Sequence, residues 1–166
     1  MRAPGAVKAS RCCNQAMSDT TQHAMNTACP LCSGDGGHLI LRTPQFRVVY
    51  ADDPAYPCFV RVIWNDHIRE LSDLAPDEQG VLMRAVFSIE RVMRDVLQPL
   101  KMNLASFGNV APHVHWHLIP RWADDAHFPQ PSWAPRQREG VAHGASQRDA
   151  LAHAIRIALA DPAPAS

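Results

Sequence analysis

The stretch His113-Val114-His115-Trp116-His117-Leu118-Ile119 sets three histidines in alternation with apolar residues. A period of two is that of a β-strand, in which residues i, i+2 and i+4 project from one face. Read this way, the three imidazoles line one side at intervals of about 7 Å, and Val114, Trp116 and Leu118 pack on the other. A face made of imidazole is a poor choice for a core. Histidine is a nucleophile, a proton carrier and a metal ligand near neutral pH. The run therefore reads as a core strand whose second face carries chemistry.

Around it the sequence divides into recognisable elements. Gly108-Asn109-Val110-Ala111-Pro112 is a tight turn entering a strand over His113 to Arg121, and Lys101 to Phe107 reads as the strand before it. Upstream, Val81, Leu82, Ala85, Val86, Ile89, Val92, Met93, Val96 and Leu97 follow the i, i+3, i+4 rhythm of an amphipathic helix. Pro76 suits the first turn of that helix, Asp77 and Glu78 complement its dipole, and Pro99 stops it. Cys58 to Trp64 is a strand by its content of β-branched and aromatic residues. His38 to Arg42 and Phe46 to Tyr50 form a hairpin across Thr43-Pro44-Gln45. Residues 122–145 are rich in Pro, Trp and Arg without periodicity and read as a long loop. Within it, Trp122 and Trp133 either anchor the irregular chain or stack on a ligand. Ser146 to Ala160 is a last amphipathic helix, with Ser146 and Asp149 resembling a capping box. Strands, a helix, more strands and a final helix indicate an α+β fold with a meandering antiparallel sheet. The domain division expected is a disordered leader over 1–27, a folded domain over 28–145 that carries the histidine run, and a C-terminal helix and tail over 146–166.

Bulk composition excludes several classes of function. The chain has 166 residues, 46% hydrophobic and 19% charged, with a formal net charge of zero. No basic field exists to hold polymeric nucleic acid. No apolar run approaches the roughly 18 residues of a membrane span. Arg2, Lys8 and Arg11 lack the apolar segment of a signal peptide, so a cytoplasmic location is expected. Of five cysteines, Cys29-Pro30-Leu31-Cys32 pairs two at a spacing suited to metal or redox chemistry, and Cys12-Cys13 lies in the leader with no role expected.

Three jobs suit the imidazole face. It is a zinc hydrolase site with His113 and His115 as ligands and an open position, an oxygenase or electron-transfer metal site, or a nucleophilic imidazole with neighbours that bind the electrophile. The second lacks a carboxylate or Cys-Met partner nearby. The upstream turn favours the third: Gly108 permits close backbone approach to a ligand, and Asn109 and Asn103 offer neutral amide donors for phosphate oxygens or a leaving alkoxide.

The same residues resemble the histidine triad (HIT) superfamily of nucleotide hydrolases and transferases. The resemblance rests on the triad run, on Cys29-Pro30-Leu31-Cys32, on Val62-Ile63-Trp64-Asn65-Asp66-His67, and on Asn103 through Arg121. It covers roughly residues 28 to 122 and is nearest to bacterial HIT proteins labelled dinucleoside polyphosphate hydrolases. It implies a HIT-like antiparallel sheet of about five strands, one long helix and a C-terminal helix. It implies a nucleotide hydrolase or transferase in which His115 attacks the α-phosphorus to give a nucleotidyl-histidine, while His117 contacts the phosphate or leaving group. Asn109 falls where many relatives carry Gln. Asn103 falls near the family's phosphate-contacting Asn, and Asp52 or Asp53 near its ribose-binding acid. Arg121, read from its own position, either meets a phosphate or flanks the strand end. A structural zinc on Cys29, Cys32, His67 and His113 and an edge-to-edge homodimer are further implications. Dinucleoside polyphosphates are the leading substrates. The alternatives are nucleoside phosphoramidates, cleaved by the same mechanism, and a zinc-stabilised nucleotide-binding protein with little turnover.

Overall fold

The computed structural model describes residues 28–160. The expected leader, with Cys12 and Cys13, lies outside them, as does the C-terminal tail. Five strands form one antiparallel sheet: β1 (His38–Arg42), β2 (Phe46–Tyr50), β3 (Val60–Trp64), β4 (Lys101–Ala105) and β5 (His115–Arg121). Their spatial order is β1-β2-β3-β5-β4, so the histidine strand is internal, between β3 and β4. Helix α1 (Pro76–Leu97) crosses from β3 to β4, and helix α2 (Arg148–Ala160) packs against α1 and β1.

Sequence chemistry accounts for the ends of these elements. The β1–β2 turn is held by Thr43, whose hydroxyl accepts from the Phe46 N–H at 2.9 Å. The chain enters β1 through Gly37, with φ +149°, where a Cβ would stand 2.1 Å from the Tyr50 carbonyl oxygen. Only glycine fits both requirements. At the start of α1 the Glu78 carboxylate accepts from the Ala75 N–H at 3.0 Å, satisfying one orphan donor. The helix ends at Leu97 with Gln98 in the left-handed conformation, just before Pro99.

The two faces of the sheet have different duties. Phe46, Val48, Tyr50, Val60, Val62, Trp64, Met102, Val114 and Leu118 face the helices and join Leu82, Ala85, Val86, Ile89, Met93 and Leu97 of α1 and Leu151, Ala152 and Ile155 of α2 in the main core. Trp116 is partly buried against the same core, so the apolar half of the triad run is packing, as its parity requires. The opposite face carries His115, His117, Arg61 and Arg47. The register pairs Arg61 with His117 and Ile63 with His115.

Some boundaries differ from the sequence reading. β3 begins at Val60 rather than Cys58, and β4 ends at Ala105, where the Ser106 hydroxyl leaves the ladder to donate to the His115 carbonyl at 2.8 Å. β5 begins at His115 rather than His113, because Val114 donates outside the ladder to the Ile68 carbonyl at 2.7 Å. Residues 145–147 form a 3-10 turn, so α2 starts at Arg148 and Ser146 is not its cap. The C-terminal helix contributes buried residues to the main core.

Candidate active site and metal knuckle

The Cys29–Cys32 segment is a tight knuckle in which the Cys29 carbonyl accepts from the N–H groups of Cys32 and Ser33 at 3.0 and 3.1 Å. Arg47 lies buried beneath it. Its guanidinium donates to the carbonyls of Leu31, Gly34 and Asp35, a use of arginine that periodicity in β2 does not reveal. Four donor atoms, from Cys29, Cys32, His67 and His113, lie within 4.8 Å of one another. Cys29 Sγ is 3.6 Å and Cys32 Sγ 3.5 Å from His113 Nδ1, and Cys32 Sγ is 3.3 Å from His67 Nδ1. A tetrahedral ion with bonds of about 2.0–2.3 Å spaces its ligands about 3.3–3.8 Å apart, so the cluster fits such an ion. The tautomer fits as well. His113 Nε2 donates to the Trp64 carbonyl at 2.7 Å, which leaves the Nδ1 lone pair aimed at the thiols.

Two residues further along, at the start of β5, the surroundings of the imidazole change. His115 Nδ1 donates to the His113 carbonyl at 2.6 Å, fixing the neutral tautomer with a free lone pair at Nε2. His115 and His117 share a cleft of about 430 Å³ with Arg61, Phe107, Asn109 and the Cys-knuckle residue Leu31. Burial lowers the His115 pKa, aided by the Arg61 charge and opposed by the bond to the His113 carbonyl. Burial also pushes His117 down to about 4, with the neighbouring His115 and Arg61 acting in the same direction. In both, burial favours the neutral imidazole over the charged one. His117 is flanked by the Phe59 and Phe107 rings at 5.3 and 6.0 Å. Among the described residues, His117 Nε2 and Arg61 Nε are buried with no hydrogen-bond partner. Unsatisfied buried polar atoms are uncommon, and two on residues that line one cleft suit a polar ligand.

The expected binding residues divide into two groups. Asn109 lines the cleft; Gly108 adjoins it in the same turn, where a Cβ would meet only ordinary contacts. Asp52 and Asp53 line a separate depression with Arg148, although their charges act on Arg61. Arg121 is 2% exposed and uses its donors within the protein: on Asp125 at 2.7 and 3.0 Å, on Asn103 at 2.7 Å and on the Gln130 carbonyl at 2.8 Å. Asn103 therefore stands on the histidine face but turns its carbonyl oxygen to Arg121. Arg61 was not anticipated. Its signal was present, as the single charge within the apolar run Phe59 to Trp64. Asp125, Tyr56 and His127 form a further buried network, in which the Tyr56 hydroxyl lies 3.0 Å from Asp125 and 2.8 Å from His127.

A model of the HIT domain matches residues 36–124, more than half of the chain. The chain belongs to the HIT family. The α+β class expected from the order of elements and the five-stranded sheet implied by the resemblance are borne out by the observed topology, and solved HIT structures share it. A histidine triad protein from Bradyrhizobium japonicum superposes with a TM-score of 0.63 at 25% identity, covering 75% of this chain and 92% of that one. A zinc-bound histidine triad family protein from Mycobacterium smegmatis gives 0.50 at 22% identity, covering 77% and 88%. Among named relatives, the AP-4-A phosphorylase of Mycobacterium tuberculosis is 30% identical over 108 residues, 61% of this chain and 55% of the relative. The asymmetrical bis(5'-nucleosyl)-tetraphosphatase of Schizosaccharomyces pombe is 30% identical over 91 residues, 52% and 50%. The chain thus spans about half the length of these two relatives. Among the described residues, no helix is long and apolar enough to cross a membrane.

Proposed function

We propose that this HIT protein cleaves nucleotides at the α-phosphate through a nucleotidyl-histidine, with dinucleoside polyphosphates as substrates. One observation carries the reading: His115 Nδ1 is held by the His113 carbonyl, which turns Nε2 into a cleft shared with the Arg61 cation. In the first step Nε2 attacks the α-phosphorus, an N–P bond forms, and the P–O bond to the leaving polyphosphate breaks with its electron pair on oxygen. Arg61 offsets charge on the phosphoryl oxygens, His117 hydrogen-bonds the phosphate or departing oxygen, and Asn109 adds an amide donor at the mouth. In the second step an acceptor oxygen bonds to the same phosphorus, the N–P bond breaks with its electron pair returning to His115 Nε2, and any proton on the acceptor passes to solvent. Water as acceptor gives hydrolysis and inorganic phosphate gives phosphorolysis. The names of the two relatives include one of each kind, which supports a common dinucleoside polyphosphate substrate.

Asp52 and Asp53 are proposed for the ribose hydroxyls and Gly108 for close approach of the phosphate. Asn103 and Arg121 are proposed to serve binding by fixing β4 against β5. Cys29, Cys32, His67 and His113 would hold a structural zinc, whose chemistry is to close a tetrahedral site and clamp the knuckle to the sheet. A homodimer is proposed through an exposed edge of the sheet, which would cover unpaired strand groups.

The test is incubation with a dinucleoside tetraphosphate labelled at the α-phosphate, a denaturing alkaline quench and peptide mapping. Label is expected on His115, and His115→Ala is expected to lose both label and at least about 10³-fold in kcat. Turnover by His115→Ala at the wild-type rate would overturn the assignment. A nucleoside phosphoramidate assayed in parallel ranks the alternative substrate class.

A further inference from the structure

Beyond the cleft, the loop after the triad presents an aromatic surface that the chemistry above does not use. The Trp133 ring lies 4.6 Å from the Phe107 ring, edge to face, and Phe107 in turn contacts His117. The two rings are 56% and 42% exposed. They extend the cleft outward on the side of His117. The loop that carries Trp133 is tied down. The Asp125 carboxylate accepts from the N–H groups of Trp122, His127 and Phe128. Arg121 holds the Gln130 carbonyl, and Arg138 donates to the carbonyls of Asp125 and Phe128 at 2.9 and 2.8 Å. An indole that follows a segment pinned by a buried ion pair, packs on Phe107 and stays half open to water beside a polar cleft is a pre-organised stacking surface.

Resting on the α-phosphate reading above, we propose that Phe107 and Trp133 form a shelf that stacks the heteroaromatic ring of the leaving group, the second base of a dinucleoside polyphosphate. Two observations point to that occupant. The shelf is continuous with the cleft through Phe107. It touches His117, the histidine assigned to the leaving side, and has no ring contact with His115. Phe107 and Trp133 are thus specificity residues that make the enzyme favour leaving groups bearing a ring.

The test is a ratio: kcat/KM for a dinucleoside tetraphosphate over kcat/KM for a nucleoside 5'-phosphoramidate, whose leaving group is ammonia. Base-on-aromatic stacking predicts that Trp133→Ala lowers this ratio about tenfold and that Trp133→Phe restores most of it. An unchanged ratio overturns the shelf. A second measurement does not need turnover. A dinucleoside tetraphosphate with methylene groups in place of its bridging oxygens should quench tryptophan fluorescence in the wild type, and quench it markedly less in Trp133→Phe. Equal quenching, or none, overturns the shelf. If the wild type turns over neither substrate but the quench depends on Trp133, the α-phosphate chemistry fails while the stacking surface stands. If Trp133→Ala converts a dimer to monomer in sedimentation and leaves the ratio unchanged, the rings are a contact between copies and the shelf is overturned.

Discussion

His113 and His115 are coupled through one peptide carbonyl: His115 Nδ1 lies 2.6 Å from the His113 oxygen, while the His113 ring faces the Cys29 and Cys32 thiols. The knuckle and the cleft therefore share a residue. Whatever holds the His113 side chain also aims the carbonyl that orients the His115 ring.

Metal content is the first consequence. One zinc per chain is expected by mass spectrometry under native conditions, and Cys32→Ser should abolish stoichiometric binding. Chelation should lower Tm by about 10 °C or more, since metal binding to a site absent from the unfolded chain is folding free energy. Activity should fall with it, because the His113 carbonyl loses its anchor. A metal-free wild type with unchanged Tm on chelation would refute the site.

Arg61 is expected to stabilise charge in the cleft. Arg61→Met should reduce kcat/KM about 100-fold, the size of effect seen when one preorganised donor to a developing anion is lost. Arg61→Lys should recover part of it, since an ammonium restores charge without the planar fork. Steady-state kinetics against the dinucleoside tetraphosphate reads both.

Arg121 and Asp125 form a buried ion pair at 2.7 Å, exposed by 2% and 1%. Burial alone would raise the Asp125 pKa, but Arg121 and three backbone N–H groups outweigh it and hold the carboxyl well below the usual range. Asp125→Asn strands a buried guanidinium and should cost about 3–5 kcal/mol in urea denaturation. A depressed carboxylate stabilises the fold above its ordinary pKa of about 3.9 and loses that contribution as pH falls further. The wild type should therefore lose stability more steeply than Asp125→Asn below that pH.

His117 gives a second pH signature with its own window. Its pKa drops from 6.5 to about 4 on folding, chiefly through burial. Between those values the unfolded chain binds the proton and the native chain does not, so stability should fall as pH is lowered through that interval. The expected loss is about 2 kcal/mol after allowance for partial solvent access. His117→Asn should flatten that part of the stability profile while lowering turnover. An unaltered slope would show that His117 is not the group responsible.

Local patterns carried much of the fold. The alternation in 113–119 and the 3.6 rhythm in 81–97 each reflect a single element burying one face, a property written into consecutive residues. The Cys-x-x-Cys spacing likewise marks a local loop. Boundaries slipped where a side chain or a remote carbonyl outbid the ladder, as at Ser106 and Val114. Arg61 and Arg121 were harder to read because an isolated arginine in a strand looks the same whether it lines a cleft or neutralises a buried aspartate.

The sequence by itself determined that a strand of alternating histidines has a core face and a chemical face, because side-chain parity is fixed by the backbone. It also determined the family, because spacing along 103–121 is one-dimensional information. Only the tertiary structure decided what surrounds each of the three imidazoles. Packing of the knuckle and of Trp64 against His113 sets its tautomer, the register of β3 against β5 sets Arg61 opposite His117, and the Arg121–Asp125 pair holds the loop that brings Trp133 to Phe107. Each depends on residues distant in the chain meeting at hydrogen-bonding or van der Waals distance, and no local pattern encodes such a meeting.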